Sequence, residues 1–530
     1  MPPRILLLFV FVSFVFAQDH HSSDNQFGAV DYLTTQQLRD YLTFIASDEL
    51  QGRDTPSNGL NTAAKFITTL LSRWGVVPKG DNGTYFQSIN LLKSVVRTNS
   101  SSVTLNGKSL TFGEEYICNA EETSITARLV YVNSGYVIPG KKIDPYIGID
   151  VKGKVIVVLG GYPKGIQSAD LYRLKKGIEY ETPSTYAVKH GAVGIVVIPS
   201  PYALERWDRD AKKVSVSGEV TMLDLPSVIP QGISQITISL PVAEQLFASI
   251  HKSSNRDSLT VMPSFEFPSD VTITAKISVS LTKEKSQNII GVLEGNDPKL
   301  KGEYVAFGAH YDHLGIGTPV NGDSIYNGAD DDGSGTVAVL SMAEAFAKGK
   351  RPKRSLLFVW HCGEEKGLWG SKYFTDHPTV PLENIVTQLN IDMIGRSRPA
   401  RGEGSDNTKV TGSNEIFVIG STMMSTELGE LSEKVNDSFL HMTFNYFYDN
   451  PNDPERLFYR SDHYNYAKHG IPIIFYFDGI HQDYHKVSDE VSKIDFEKYL
   501  KVTKTIFATG WTIANLPHRP IVNKVVQRHF

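Results

Sequence analysis

The chain has 530 residues, of which 41% are hydrophobic and 21% charged, with a formal net charge of −5. That length exceeds one ordinary domain, and the composition is that of a chain able to bury a core. A negative balance excludes a dedicated nucleic-acid surface, because no basic excess is available to neutralise phosphates.

The first seventeen residues, MPPRILLLFVFVSFVFA, set Arg4 before a short apolar run that ends on Val15-x-Ala17. This is the pattern of a cleaved secretory signal, and the polar QDHHSSDNQ that follows leaves the run short for a membrane span. The mature chain is therefore expected to be soluble and exported, in a periplasmic, extracellular or lumenal compartment. Only two cysteines occur, Cys118 and Cys362, too few for a disulfide framework. Cys362 reads as a small buried hydrophobe.

From Tyr32 to Leu92, QQLRDYLTFIASDEL and TAAKFITTLLSRWGV carry helical periodicity and lead into the extended YFQSINL. From about Thr104 to Ser269 the texture is strand-rich, as in ARLVYVNSGYV, GKVIVVLGGYP and GAVGIVVIPSP, with a helix at STYAVKHGA. From Gln287 on, strands and helices alternate. NIIGVLEG and EYVAFGAHYDH precede the helical SGTVAVLSMAEAFAKG; SLLFVWHCGEE precedes the helical GLWGSKYFTDH; VTQLNIDMIG and IPIIFYFDG follow. Several of these strands are unbroken apolar runs, the mark of strands covered on both faces. The expected fold is α/β: a mostly parallel mixed sheet flanked by helices, with a β-rich insert. The expected division is 18–103 and 270–530 for the main domain and 104–269 for the insert.

Ligands of open α/β sheets bind beyond the carboxyl ends of the strands. Here those ends carry His310, Tyr311, Asp312 and His313; Glu364 and Glu365; Asp392; and, after IPIIFYF, His485 and Asp489. NGADDDGSG adds three aspartates at a helix start. Alone, those aspartates read as helix capping and HYDH as a structural histidine cluster. Four strand ends and a helix start that all supply His, Asp or Glu point to a metal. The loop does not fit an EF-hand, HQDYH lacks the glutamate of a zincin, and no G-x-S-x-G elbow or P-loop lysine occurs.

GAHYDHLG, NGADDDGSG, CGEEKGLWGS, NIDMIG and DYHKVSDE, in this order, closely resemble the motifs of the co-catalytic di-zinc exopeptidases: bacterial leucyl aminopeptidase, aminopeptidase Y and the glutamate carboxypeptidases. The resemblance covers Gln287 to about Leu516 and extends weakly to SDELQGRDTPSNGLNTAAKFITTLLSRWGV. IDVKGKVIVVLGG and AVKHGAVGIVVIPS resemble the protease-associated domain often inserted in such enzymes.

The resemblance implies two Zn2+ per chain. His310 and Asp392 would hold one, Glu365 and His485 the other, and Asp331 would bridge them, with a cis peptide to Asp332. Glu364 would be the general base, and Asp312 part of the active centre and a candidate orienting partner of His310. Tyr484 is a candidate oxyanion donor, and Asp489 a candidate orienting partner of His485. The implied reaction is release of N-terminal residues from peptides by metal-activated water. A carboxypeptidase or dipeptidase would instead need an arginine to clamp a substrate carboxylate, with Arg396, Arg398, Arg401 and Arg460 as candidates. Two further alternatives are a receptor-like binding protein and a glutaminyl-cyclase-like transferase; the complete ligand set speaks against both. The expected partners are peptide substrates, with no nucleic acid and, after signal cleavage, no membrane.

Overall fold

The computed structural model describes residues 26–167, 170–171, 174–224, 233–250, 252, 255–398 and 409–524. The expected signal segment and Arg401 lie outside the described residues.

A ten-stranded mixed sheet organises the main body. Its strands include β1 (Phe86–Val96), β2 (Glu219–Met222), β3 (Val279–Leu293), β4 (Tyr304–His310), β5 (Ser355–His361), β6 (Ile385–Ile391), β7 (Glu415–Ile419), β8 (Thr443–Asn445) and β9 (Ile473–Phe477). The spatial order is β8-β7-β9-β6-β4-β5-β3-β1-β2. The centre, β9-β6-β4-β5, is parallel, and antiparallel pairings flank it on both sides. Parallel pairing thus dominates the middle of the sheet, where the apolar runs are unbroken, and recurs only at the edge between β7 and β8.

Alternation along these strands feeds two cores. Val305, Phe307 and Ala309 of β4, with Leu356, Phe358 and Trp360 of β5, face one side. Ala306, Leu357 and Val359 face the other. The first core is closed by helices α1 (Thr35–Ile45), α2 (Asn58–Arg73), α3 (Gly335–Lys348) and α4 (Phe496–Asn515). Thr34 and Ser57 cap α1 and α2, each accepting a backbone N–H three residues on. Helix α3 is buried on nearly every side, which explains why GTVAVLSMAEAF is apolar all round rather than amphipathic.

A second, nine-stranded sheet draws its strands from Ser102 to Ile277 and buries its own cores. The last of its strands, Thr272–Ile277, lies past residue 269. β2 leaves this segment to pair with β1 at the edge of the main sheet. Cys118 and Cys362 are both free and buried. Among the described residues no helix is long and apolar enough to cross a membrane.

Candidate metal centre

The four parallel strands end on one rim, and the chemistry collects there. His310 is the last residue of β4, and Asp392 follows the last residue of β6. After β5 the chain leaves the sheet at Gly363, whose φ of +70° suits glycine. Glu364 and Glu365 are therefore free of strand alternation and point to different neighbours. His485 lies eight residues past β9.

Two groups of donor atoms converge, each within 4.8 Å: His310, Asp331 and Asp392 in one, and His313, Asp331 and Glu365 in the other. His310 Nε2 is 3.3 Å from Asp331 Oδ1, 3.6 Å from Asp392 Oδ1 and 4.0 Å from Glu364 Oε2. His485 Nε2 is 3.1 Å from Asp331 Oδ2 and 3.2 Å from Glu365 Oε2. Asp331 belongs to both groups, and the peptide joining it to Asp332 is cis. Its Oδ2, like Glu365 Oε1 and His313 Nδ1, is buried without a hydrogen bond. Orphaned oxygen and imidazole atoms aimed at common points fit metal ions of borderline softness.

The three aspartates have three jobs. Asp331 faces the donor groups. Asp330 Oδ1 accepts the Gly395 N–H at 2.7 Å, and its Oδ2 lies 3.2 Å from His481 Nε2. Asp332 accepts the N–H groups of Gly335 (2.8 Å), His310 (3.2 Å) and Met393 (3.3 Å), tying the loop to the ends of β4 and β6. Beneath them Arg53, fully buried, donates to the carbonyls of Ile45 (2.5 Å), Asn327 (2.7 Å), Tyr311 (3.0 Å) and Gly328 (3.0 Å). Burial pulls its pKa down to about 10 against the nearby carboxylates, so it stays cationic at neutral pH. Arg53→Met leaves these acceptors unsatisfied and is expected to cost at least about 3 kcal/mol in urea unfolding of the metal-loaded chain.

Two of the expected orienting contacts are made differently. The carboxylate of Asp312 stands 3.8 Å from His310 Nδ1, beyond hydrogen-bond range, and its backbone carbonyl takes that nitrogen at 3.1 Å. The Asp312 carboxylate instead accepts the Glu364 N–H at 3.3 Å. Burial pushes Asp312 up to about 7. Asp489 is not directed at His485: its Oδ2 accepts the N–H groups of Asp330 (3.0 Å) and Asp331 (3.1 Å), and Oδ1 lies 3.5 Å from Arg396. It steadies the backbone of Asp331, not the histidine four residues away. Tyr484 lines the cleft with His310, Asp331 and Glu364, its ring stacked on His485 at 3.8 Å.

Neighbouring segments add further contacts. Ser461 Oγ donates to Asp392 Oδ2 at 2.7 Å and receives Asn390 Nδ2 at 2.9 Å. Of the four arginines, Arg396 is paired with Asp483 at 2.6 Å and Arg398 with Glu415 at 3.2 Å, whereas Arg460 lines the cleft. Met393, Leu457, Phe475, Phe477 and Ile480 form its apolar wall.

Residues 288–510 match the profile of peptidase family M28. A probable zinc metalloprotease of Pyrenophora tritici-repentis is 26% identical over 257 residues, 44% of this chain and 58% of that protein. Leucine aminopeptidase 2 of Trichophyton equinum is 25% identical over 250 residues, 46% of this chain and 44% of that protein. The chain thus spans about half the length of the curated relatives it matches. An aminopeptidase from Aneurinibacillus sp. strain AM-1 shares the fold at 15% identity, with a TM-score of 0.55 over 94% of this chain and 97% of that one.

Proposed function

Residues 288–510 are a peptidase family M28 domain, and on that premise we propose that the chain is an exported zinc aminopeptidase that holds two zinc ions. The observation that carries this reading is the pair of donor groups sharing Asp331 beside a cleft that also contains Glu364. His310 and Asp392 would hold one ion, Glu365 and His485 the other, and Asp331 both. When bound, the ions polarise the scissile carbonyl and acidify the attacking water.

The chain's own groups do the rest. Glu364 accepts the proton of the attacking water and passes it to the leaving amine. Burial first, then the negative charges of Glu365 and Asp392, holds its carboxyl well above the usual range, with His310 opposing. Such a carboxyl exchanges protons nearer neutrality than a solvated one. Ser461 fixes the rotamer of Asp392. Burial and the surrounding carboxylates also push the Tyr484 phenol up, keeping it a proton donor that can face the oxyanion. The wall of Met393, Leu457, Phe475, Phe477 and Ile480 suits an apolar substrate side chain. The sheet between Ser102 and Ile277 reads as a protease-associated domain, and the leader at 1–17 as the export signal.

Arg460 in the cleft favours one second reading, a carboxypeptidase or dipeptidase that clamps a substrate carboxylate. A panel of amino-acyl chromogenic substrates against N-blocked peptides with free carboxyl ends separates the two. Cleavage of Leu, Met and Phe derivatives with free amino ends, abolished by chelator, is the expected result. Cleavage of the blocked set alone would replace the aminopeptidase reading, and chelator-insensitive turnover would remove the metal mechanism.

A further inference from the structure

We propose that His313 is a fourth protein donor to the metal held by Asp331, Glu365 and His485, so that the two metal positions are unequal. This rests on the metal centre proposed above and adds a residue to it.

The His313 side chain is fully buried, and neither ring nitrogen has a hydrogen-bond partner. A buried imidazole left unsatisfied at both nitrogens is costly. Its Nδ1 lies 2.7 Å from Glu365 Oε1, yet the contact lacks hydrogen-bond geometry, and the oxygen too is without a hydrogen bond. Nδ1 is also 3.8 Å from Asp331 Oδ2, another orphaned atom. Three orphaned donor atoms that meet without bonding one another mark a place for a cation.

The ring is also preorganised. The His313 N–H donates to the Arg53 carbonyl at 3.2 Å, anchoring the backbone to the buried arginine's own segment. On its far side sits Gly328, where an added Cβ would meet the ring at 2.5 Å. Glycine there leaves room for the imidazole and holds it against Glu365. By contrast, His485 stands on a loop residue of φ +56° with its side chain 36% exposed. One metal position therefore receives one imidazole and two carboxylates, and the other two imidazoles and two carboxylates. Imidazole suits zinc well, so the His313 position is the one that keeps its ion longer under chelation.

X-ray absorption fine structure at the zinc edge, on the zinc-loaded full chain, counts imidazoles directly, with zinc stoichiometry measured alongside. Three imidazoles per metal pair are expected, falling to two in His313→Ala. In graded chelation the more tightly held zinc of His313→Ala should leave at a chelator concentration at least about 10-fold lower than in the native chain. Two imidazoles per pair in the native protein would overturn the proposal while leaving the dinuclear centre standing. A chain that binds no zinc at all would instead overturn the centre itself. The native count decides the matter even where the variant does not fold.

Discussion

Replacing Glu364 with Gln or Ala is expected to lower kcat by about 10³-fold or more while zinc content and KM stay close to native. The two adjacent glutamates have different surroundings. Glu365 touches His313 at 2.7 Å and His485 at 3.2 Å, and those imidazoles hold it down at about 2 against burial and the Asp331 charge. It is an anion in place, suited to ligation. Glu364 approaches only His310 Nε2, at 4.0 Å, and burial raises its carboxyl. It is suited to pick up and release a proton. Because Glu364 must be ionised to act, kcat should fall on the acid side as the group takes up its proton. Glu365→Gln should behave differently, losing zinc first and activity as a consequence. Stoichiometry by mass spectrometry beside steady-state kinetics separates the two glutamates. A Glu364→Ala variant with a tenth or more of native kcat would refute the assignment.

The rim of the site was legible because its logic is local. Each strand is an apolar run, and a charged residue that ends such a run lies at the sheet's edge whatever the rest of the chain does. His310, Glu364, Glu365 and Asp392 follow from that rule, and the structure gathers them with Asp331 and His485. What escaped depends on loop conformation. His313 reads as one histidine of a cluster until Gly328 and Arg53 are seen to seat its ring. Asp489 reads as a partner for His485, four residues away, but the turn between them aims it at two amides from another segment. Ser461 reaches Asp392 across 69 residues, a contact that spacing does not encode. β7 follows a polar stretch and joins the sheet through tertiary pairing with β9, so only its partner reveals it. Helix α4 likewise shows its place only where it packs on the first core.

Asp331→Ala is expected to empty both metal positions, leaving well under one zinc per chain and no measurable peptidase activity. Among the described residues Asp331 alone is common to both donor groups, with Oδ1 3.3 Å from His310 Nε2 and Oδ2 3.1 Å from His485 Nε2. Burial works against its charge, but His310, His313 and His485 together hold it well below the usual carboxylate range. Its removal leaves Glu364, Glu365 and Asp392 crowded in a water-poor site without their shared counter-ions. Metal bound at about 1,000 times its Kd adds about 4 kcal/mol to the folded state. The native Tm should therefore drop on chelation, while that of Asp331→Ala should already be low and unmoved by chelator. The neighbouring Asp332→Asn supplies the contrast. Burial, and next the Asp392 charge, raises the Asp332 carboxyl well above the usual range. An amide in its place can still accept the Gly335 and Met393 N–H groups through one oxygen, but its nitrogen then faces the His310 N–H that Oδ2 accepts. Zinc should stay bound in that variant, at some cost in stability read as a lower Tm. If Asp332→Asn emptied the site and Asp331→Ala kept two zincs, the bridging role would sit one residue later than the geometry places it.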